Sequence, residues 1–160
     1  MLLRALALLP PGERPPLVLV GRDAGAGPRL RALADDLGIA TMVTSPASST
    51  TRRSLNLGAT ARAIVVPSRY ESFGFAALDG LARGRPTLVA AAGALPEVVG
   101  NAGVVLPADD PAAWAQAIAA TRDDAPGAAA ARRAAAAHHG WEDAAARLVG
   151  LWRRLNAPGG

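Results

Sequence analysis

The chain has 160 residues, a length that suits one globular domain with a sizeable core, and it contains no cysteine, which excludes disulfides and thiolate metal sites. Its net charge is only +4, and its 17 basic residues, all arginine, are scattered without interleaved aromatic residues, which argues against a nucleic-acid partner. No apolar run reaches the roughly 18 residues of a membrane span, and the first one is too short for a secretory signal, so we expect a cytoplasmic protein.

The first third of the chain alternates helical patterns with short apolar runs. We predict, in order, a helix over Leu2–Leu9, a strand over Leu17–Val20 closed by Gly21, a helix over Pro28–Leu37 ended by Gly38, a strand near Thr41–Thr44, a loop over Ser45–Thr51 and a helix over Arg52–Ala59. The glycines at 25 and 27 have the wrong spacing from Gly21 for a dinucleotide fingerprint, and we interpret them as a flexible turn.

The alternation continues to residue 106 and then gives way to helices alone. Strands are predicted over Ala63–Val66, Thr87–Ala90 and Val104–Leu106, and helices over Gly74–Arg83, Ala112–Arg122, Ala128–Ala137 and Trp141–Leu155. Trp141 and Trp152 are about three helical turns apart, so we expect both to face the domain and anchor the last helix.

Short apolar strands that alternate with helices predict an α/β fold. We expect a single Rossmann-like, doubly wound parallel sheet with helices on both faces and a helical C-terminal segment. Residues 1–156 would form one Rossmann-like domain, and residues 157–160 a disordered tail. In such sheets ligands bind outside the carboxyl ends of the strands, which directs attention to the strand-to-helix loops.

One of these loops combines a carboxylate with a glycine at the start of a helix. Glu71 follows a buried strand, and Phe73, Gly74 and Phe75 open the next helix. The first N–H groups of a helix are unpaired and lie at the positive end of its dipole, so they form an anion site suited to a diphosphate. Asp79, just over one turn into the helix, can reach back to a ribose hydroxyl.

The same segment resembles the signature of glycosyltransferase family 4, a large retaining family with the GT-B fold. Its pattern is PS-x-x-E-x-F-G-(x)4-E-A-x-A-x-G-x-P-V, and matching places are held by Pro67, Ser68, Glu71, Phe73, Gly74, Ala82, Gly84 and Pro86. Residues 93–107 are similar to the family's stretch GGLPEVVGDAGVLVP. The resemblance covers nearly all of the chain and corresponds to the C-terminal, donor-binding half of the GT-B fold.

The resemblance implies a role for each residue of the motif. Glu71 would be the catalytic residue and contact hydroxyls of the donor sugar, Asp79 would hold the ribose, and the backbone of Ser72, Phe73, Gly74 and Phe75 would bind the sugar and diphosphate. The family has glutamate at position 79, so the shorter aspartate predicts weaker donor binding. An NDP-sugar would be the donor substrate, with neither cofactor nor metal, and the glycosyl unit would be transferred with retention.

The family's acceptor domain, and the basic pair that neutralises the departing diphosphate, would precede this segment. We therefore expect the chain to be incomplete without an acceptor domain or partner chain. A non-catalytic nucleotide-sugar-binding module, or partner subunit, is the alternative. A nicotinamide or flavin domain ranks below both because this chain lacks the glycine-rich phosphate-binding fingerprint of such domains.

Purely structural roles for the same side chains remain as alternatives. Glu71 can be an ordinary loop carboxylate, and Asp79 can pair with Arg83 one turn later on the helix. Phe73 and Phe75 can be core residues, and for Phe75 packing is the favoured role. The histidines at 138 and 139 have no metal-ligand partner at useful spacing and are expected at a helix end.

Overall fold

The computed structural model describes residues 1–21, 23–45 and 57–156, and it confirms the α/β class. The parallel strands are β1 (Leu17–Val18), β2 (Val43–Thr44), β3 (Ile64–Val66), β4 (Thr87–Ala90) and β5 (Val104–Leu106). The helices are α1 (Leu2–Leu8), α2 (Gly27–Asp36), α3 (57–60 within the described part), α4 (Phe75–Ala82), α5 (Leu95–Val99), α6 (Pro111–Ala120), α7 (Ala128–Ala137) and α8 (Trp141–Leu155).

The strands pair in two groups. One group has the order β3-β4-β5, with Val66 opposite Val89 and Ala90 opposite Leu106, and the other consists of β1 and β2. All pairs are parallel, as expected. The prediction of a single continuous sheet is wrong for the described residues, because β1 and β2 are only two residues long and pair with each other alone.

The core lies around β4, whose four residues are all buried. Helix α1 covers one side by burying Leu3 and Leu6 against α6, as its amphipathic pattern predicts. On α6, Trp114 is fully buried and its indole N–H donates to the carbonyl of Pro107 at 2.8 Å, so the largest core side chain keeps its polar atom satisfied.

Several boundaries differ from the predicted ones by one or two residues, and one short helix was not predicted. Helix α6 begins at Pro111, not Ala112, because the Asp110 carboxylate caps it by accepting from the amides of Ala112 (2.9 Å) and Ala113 (3.1 Å). Strand β1 ends two residues early. The short helix α5 was not predicted, since five residues are too few for a helical period to show.

The last helix does not lie where its tryptophans suggested. Trp141 is 83% exposed and Trp152 is 63% exposed, and α8 has no buried residue. The prediction that both anchor α8 on the domain is therefore wrong. Eleven residues of spacing do place two side chains on one face, but they do not determine whether a neighbour covers that face.

Some predictions fall outside the described residues. These are the loop over Ser45–Thr51 beyond its first residue, the first part of the helix over Arg52–Ala59, and the tail at 157–160. Within the described part, residues 57–60 are helical, which agrees with the end of that predicted helix. No described helix is long and apolar enough to cross a membrane.

Candidate functional site

The centre of the site is Gly74, the residue that precedes α4. It has φ +99° and ψ 47°, the left-handed conformation that glycine adopts without strain. A Cβ at this position would lie 2.7 Å from the Cδ2 atom of Leu95 on α5. The backbone conformation therefore favours glycine here, and a Cβ would also displace the Leu95 side chain.

The N-terminus of α4 is left without a cap. The amides of Ala77 and Leu78 both donate to the carbonyl of Gly74, at 2.9 and 3.1 Å, and no side chain caps the helix. Within the described residues, the amides of Phe75 and Ala76 have no such acceptor. Unpaired N–H groups at the positive end of a helix dipole favour an anion.

Glu71 is half-buried in the loop that leads to α4. The hydroxyl of Ser68 donates to its Oε1 atom at 2.9 Å, which fixes the orientation of the carboxylate and leaves Oε2 without a described partner. Ser68 lies two residues beyond the end of β3, so the strand and the loop together position the acid.

A second loop, after β4, holds the Glu71 backbone in place. The amide of Ala94 donates to the Glu71 carbonyl at 3.1 Å. Gly93 has φ +55°, and a Cβ there would lie only 2.4 Å from the same carbonyl oxygen. Gly93 and Ala94 are thus positioning residues. They lie in the stretch over residues 93–107 that resembles the family, but the sequence alone assigned them no role. A glycine after a buried strand is the signal that could have identified the contact.

The two phenylalanines of the motif lie together beside the helix start. Their ring centroids are 4.7 Å apart, and His139 contacts Phe73 edge-on at 6.1 Å. Phe75 is 69% exposed, so the prediction that it belongs to the core is wrong. At the first position of α4 its side chain leans back towards the N-terminus, where no further turn of helix covers it.

Asp79 makes the helical ion pair that was one of its two interpretations. The Nε atom of Arg83 donates to Oδ2 of Asp79 at 2.8 Å, and this hydrogen bond raises the pKa of Arg83 further above its ordinary value. A Cβ on Gly58 of α3 would lie 3.4 Å from the same oxygen, so the pair is packed beside α3. The Oδ1 atom has no partner in the described part of the chain, and the ribose role of Asp79 stays a prediction.

An ion pair and a cavity border the site. Arg69 pairs with Asp109, which ties the Glu71 loop to the loop after β5 although both side chains are exposed. A cavity of about 400 Å³ opens between α5 and α7 and is lined in part by His138 and His139. The structure confirms the predicted position of the histidines, since His138 is the C-cap of α7.

Residues 1–124 match the family described as "Glycosyl transferases group 1". The match covers more than three quarters of the chain. The chain belongs to the group 1 glycosyltransferases. The expected family is thereby confirmed at this level.

Individual relatives are consistent with the family. A D-inositol 3-phosphate glycosyltransferase of Mycolicibacterium smegmatis is 38% identical over 134 residues, which cover 80% of this chain and 30% of that protein. Sucrose-phosphate synthase from Thermosynechococcus elongatus superposes with a TM-score of 0.79 at 28% identity, over 98% of this chain and 41% of that one. The Anabaena protein HepE, solved in complex with UDP, has a TM-score of 0.70 at 22% identity, over 85% and 38% of the two chains, and shows the fold alone.

These structural relatives are GT-B glycosyltransferases, as the fold prediction expected. The chain spans about a third of the length of the curated relatives it matches. Among the residues whose positions are described, no three His, Asp or Glu side chains group as metal ligands would.

Proposed function

We propose that this domain is the donor-binding half of a retaining glycosyltransferase that acts in the cytoplasm. It would bind an NDP-sugar, and transfer would need an acceptor-binding domain or chain beyond these residues. The observation that carries the proposal is the uncapped N-terminus of α4 directly after the Glu71 loop. Family membership supports sugar transfer, and the short coverage of the relatives supports the need for a further part.

The diphosphate would bind at the start of α4. The amides of Phe75 and Ala76 supply unpaired donors, and the absence of a Cβ on Gly74 lets the anion approach the backbone. Ser72 and Phe73 precede them in the same loop and would contribute further backbone contacts to the sugar and the diphosphate. A fixed arrangement of N–H groups stabilises the negative charge that develops as the diphosphate departs.

Glu71 would bind the donor sugar through its carboxylate. Ser68 occupies Oε1, which leaves Oε2 to accept hydrogen bonds from sugar hydroxyls. Hydrogen bonds to a charged acceptor contribute about 1.5–3 kcal/mol each, enough to orient the sugar over the diphosphate site. Glu71 is also the only acidic residue between Pro67 and Ala76. A front-face displacement assisted by the leaving phosphate is the mechanism that the family resemblance implies for this site.

Asp79 would contact the ribose through the oxygen that Arg83 leaves unoccupied. Arg83 holds Oδ2, and Oδ1 can still accept from one ribose hydroxyl. A longer glutamate could reach both ribose hydroxyls, so the Asp79–Arg83 pair is consistent with weaker nucleotide binding than the family pattern implies.

Calorimetric titration with UDP-, GDP-, dTDP- and ADP-sugars tests the proposal. We expect one of them to bind with Kd in the micromolar to millimolar range, about −8 to −4 kcal/mol. Glu71→Gln should weaken NDP-sugar binding by about tenfold and leave NDP binding unchanged, because only the sugar contact is lost. Glu142→Gln, an exposed acid of α8, is the matched control and should have no effect. No heat with any of the four donors would refute donor binding.

A transfer assay tests the need for an acceptor part. Alone, the chain should release no NDP from donor and acceptor mixtures beyond trace hydrolysis, since positioning two reactants is worth roughly 7–11 kcal/mol of the barrier. Turnover that starts only when a separate acceptor-domain chain is added would support the proposal. Rapid unaided turnover would contradict it.

A further inference from the structure

A second cavity lies at the opposite edge of the three-stranded group, where β3 and β4 begin. Its volume is about 410 Å³, within the roughly 300–1,000 Å³ of small-molecule sites. One acidic residue, Asp124, lines it together with five basic ones, which are Arg62, Arg83, Arg85, Arg122 and Arg133. This composition differs from that of the carboxyl edge of the strands, where the NDP-sugar donor is proposed to bind and which we call the donor edge. There the hydrogen-bond donors are backbone amides.

Most of the positive charge in this cavity has no carboxylate partner. Arg83 pairs with Asp79, and Arg122 pairs with Glu13 at 3.5 Å. Asp124 is already engaged by Arg132, whose NH1 atom donates to it at 2.7 Å.

The other three arginines, Arg62, Arg85 and Arg133, form no ion pair in the described structure. That structure includes every Asp and Glu side chain of the sequence. Within the described structure, no Asp or Glu side chain therefore neutralises them.

Helix ends offset only part of this charge. The NH2 group of Arg62 donates to the Ile118 carbonyl at 3.4 Å, and that of Arg85 donates to the Ala59 carbonyl, so both side chains serve the C-termini of α6 and α3. The carbonyl groups at a helix C-terminus carry only partial negative charge, so they offset the charge of the three guanidinium groups in part. The net positive charge that remains suits an anion.

One donor in the cavity wall also lacks an acceptor. The Nε atom of Arg85 is buried and has no hydrogen-bond partner in the described structure. Buried donors in native proteins are almost always satisfied, and an orphaned one points to a missing water, ion or ligand. Capping of helix ends accounts for the NH2 group of Arg85 but not for this atom.

We propose that this cavity binds a small phosphorylated anion, such as inorganic diphosphate or a phosphorylated small molecule. Arginine presents planar, paired donors that match phosphate oxygens, and Arg62, Arg85 and Arg133 provide three guanidinium groups without carboxylates. No aromatic side chain lines the cavity, so it offers no stacking platform for the bases of a nucleic acid. The site lies across the strands from the donor edge and is independent of the donor-binding proposal.

Amide NMR of the full chain, titrated with inorganic diphosphate, tests the proposal. The amides of Gly84, Arg85 and Thr121 should shift and saturate, while Phe75 and Ala76 separately report binding at the donor edge. The double variant Arg62→Gln/Arg133→Gln should lower the diphosphate affinity that the cavity amides report by about tenfold or more. The affinity that Phe75 and Ala76 report should stay unchanged. A double variant of two exposed arginines elsewhere, Arg4→Gln/Arg29→Gln, makes the same change in net charge and should bind like the original chain.

Two results would overturn the proposal. Gly84, Arg85 and Thr121 could remain unshifted at millimolar diphosphate, or both double variants could weaken binding equally, which would mean attraction to net charge alone. A parallel sedimentation with phosphatidylglycerol and phosphatidylcholine vesicles separates a free anion from a lipid headgroup. Pelleting with phosphatidylglycerol that the Arg62→Gln/Arg133→Gln variant abolishes, without any diphosphate shift, would assign the cavity to a membrane headgroup instead.

Discussion

The two edges of the β3-β4-β5 group present charge in different ways. At the carboxyl edge, the uncapped start of α4 presents unpaired backbone amides, and the loop held by Gly93 places one fixed carboxylate beside them. At the amino edge, long arginine side chains from separate elements converge on helix C-termini. The first edge depends on backbone geometry and the second on side-chain charge.

This difference implies different sensitivities to mutation. A Cβ on Gly93 would force the two loops apart, because it would meet the Glu71 backbone and no side chain can move to relieve the clash. A site built from several arginines loses affinity by degrees as guanidinium groups are removed. Single substitutions at the two edges should therefore differ in their effects.

The largest effect is expected for Gly93→Ala at the carboxyl edge. The left-handed backbone conformation of position 93 would cost an alanine about 1–3 kcal/mol, and the clash with the Glu71 carbonyl about 1–3 kcal/mol more. Urea denaturation should show this loss of stability, and calorimetry should show loss of donor binding.

Gly127→Ala is the matched control for that variant. Gly127 also has a left-handed backbone conformation, with φ +82°, but a Cβ there would meet nothing within 4 Å. It should therefore lose only the conformational part, about 1–3 kcal/mol, and keep donor binding. Equal losses in the two variants would show that the contact between Gly93 and Glu71 does not hold the site together.

A smaller effect is expected at Asp79, where the two interpretations of the residue can be separated. If Asp79 contacts the ribose, Asp79→Glu should tighten NDP binding and Asp79→Ala should weaken it by up to about tenfold. Loss of the ion pair with Arg83 alone would lower stability by only about 0.2–0.5 kcal/mol. Calorimetry with NDP decides, since equal affinity of the Glu and Ala variants would mean that Asp79 is not a ribose ligand.

The smallest effect concerns the ion pair beside the amino edge. The hydrogen bond from Arg132 lowers the pKa of Asp124 below its ordinary value. A depressed folded-state pKa stabilises the protein above the unfolded-state pKa, and this contribution is lost as the pH falls through the folded-state value. Asp124→Asn should thus cost about 1 kcal/mol at neutral pH and less at a pH below the ordinary range of a carboxyl group.

Urea denaturation at the two pH values checks this prediction, with Asp123→Asn as the control. Asp123 is the neighbouring acid and forms no ion pair in the described part of the chain. The control should show no comparable loss at neutral pH. A cost for Asp124→Asn that is independent of pH would contradict the electrostatic origin.

The sequence predicted the carboxyl edge far better than the amino edge. Glu71 and Gly74 stand at fixed spacing after a buried strand. The motif therefore predicted both their positions in the chain and the loop and helix start in which they lie. The cavity arginines come from residues 62 to 133 and share no spacing, and only the fold brings them together. The pattern of α8 resembled that of α1, but only α1 is buried, since a periodic apolar face does not specify what covers it.

The most direct test of the central claim is an amide NMR titration of the full chain with the NDP of the donor selected by calorimetry. Donor binding at the start of α4 predicts that the amides of Phe75 and Ala76 shift most, together with Gly74, because they would donate to the diphosphate. Shifts confined to other parts of the domain, with these three amides unchanged at saturation, would contradict the account.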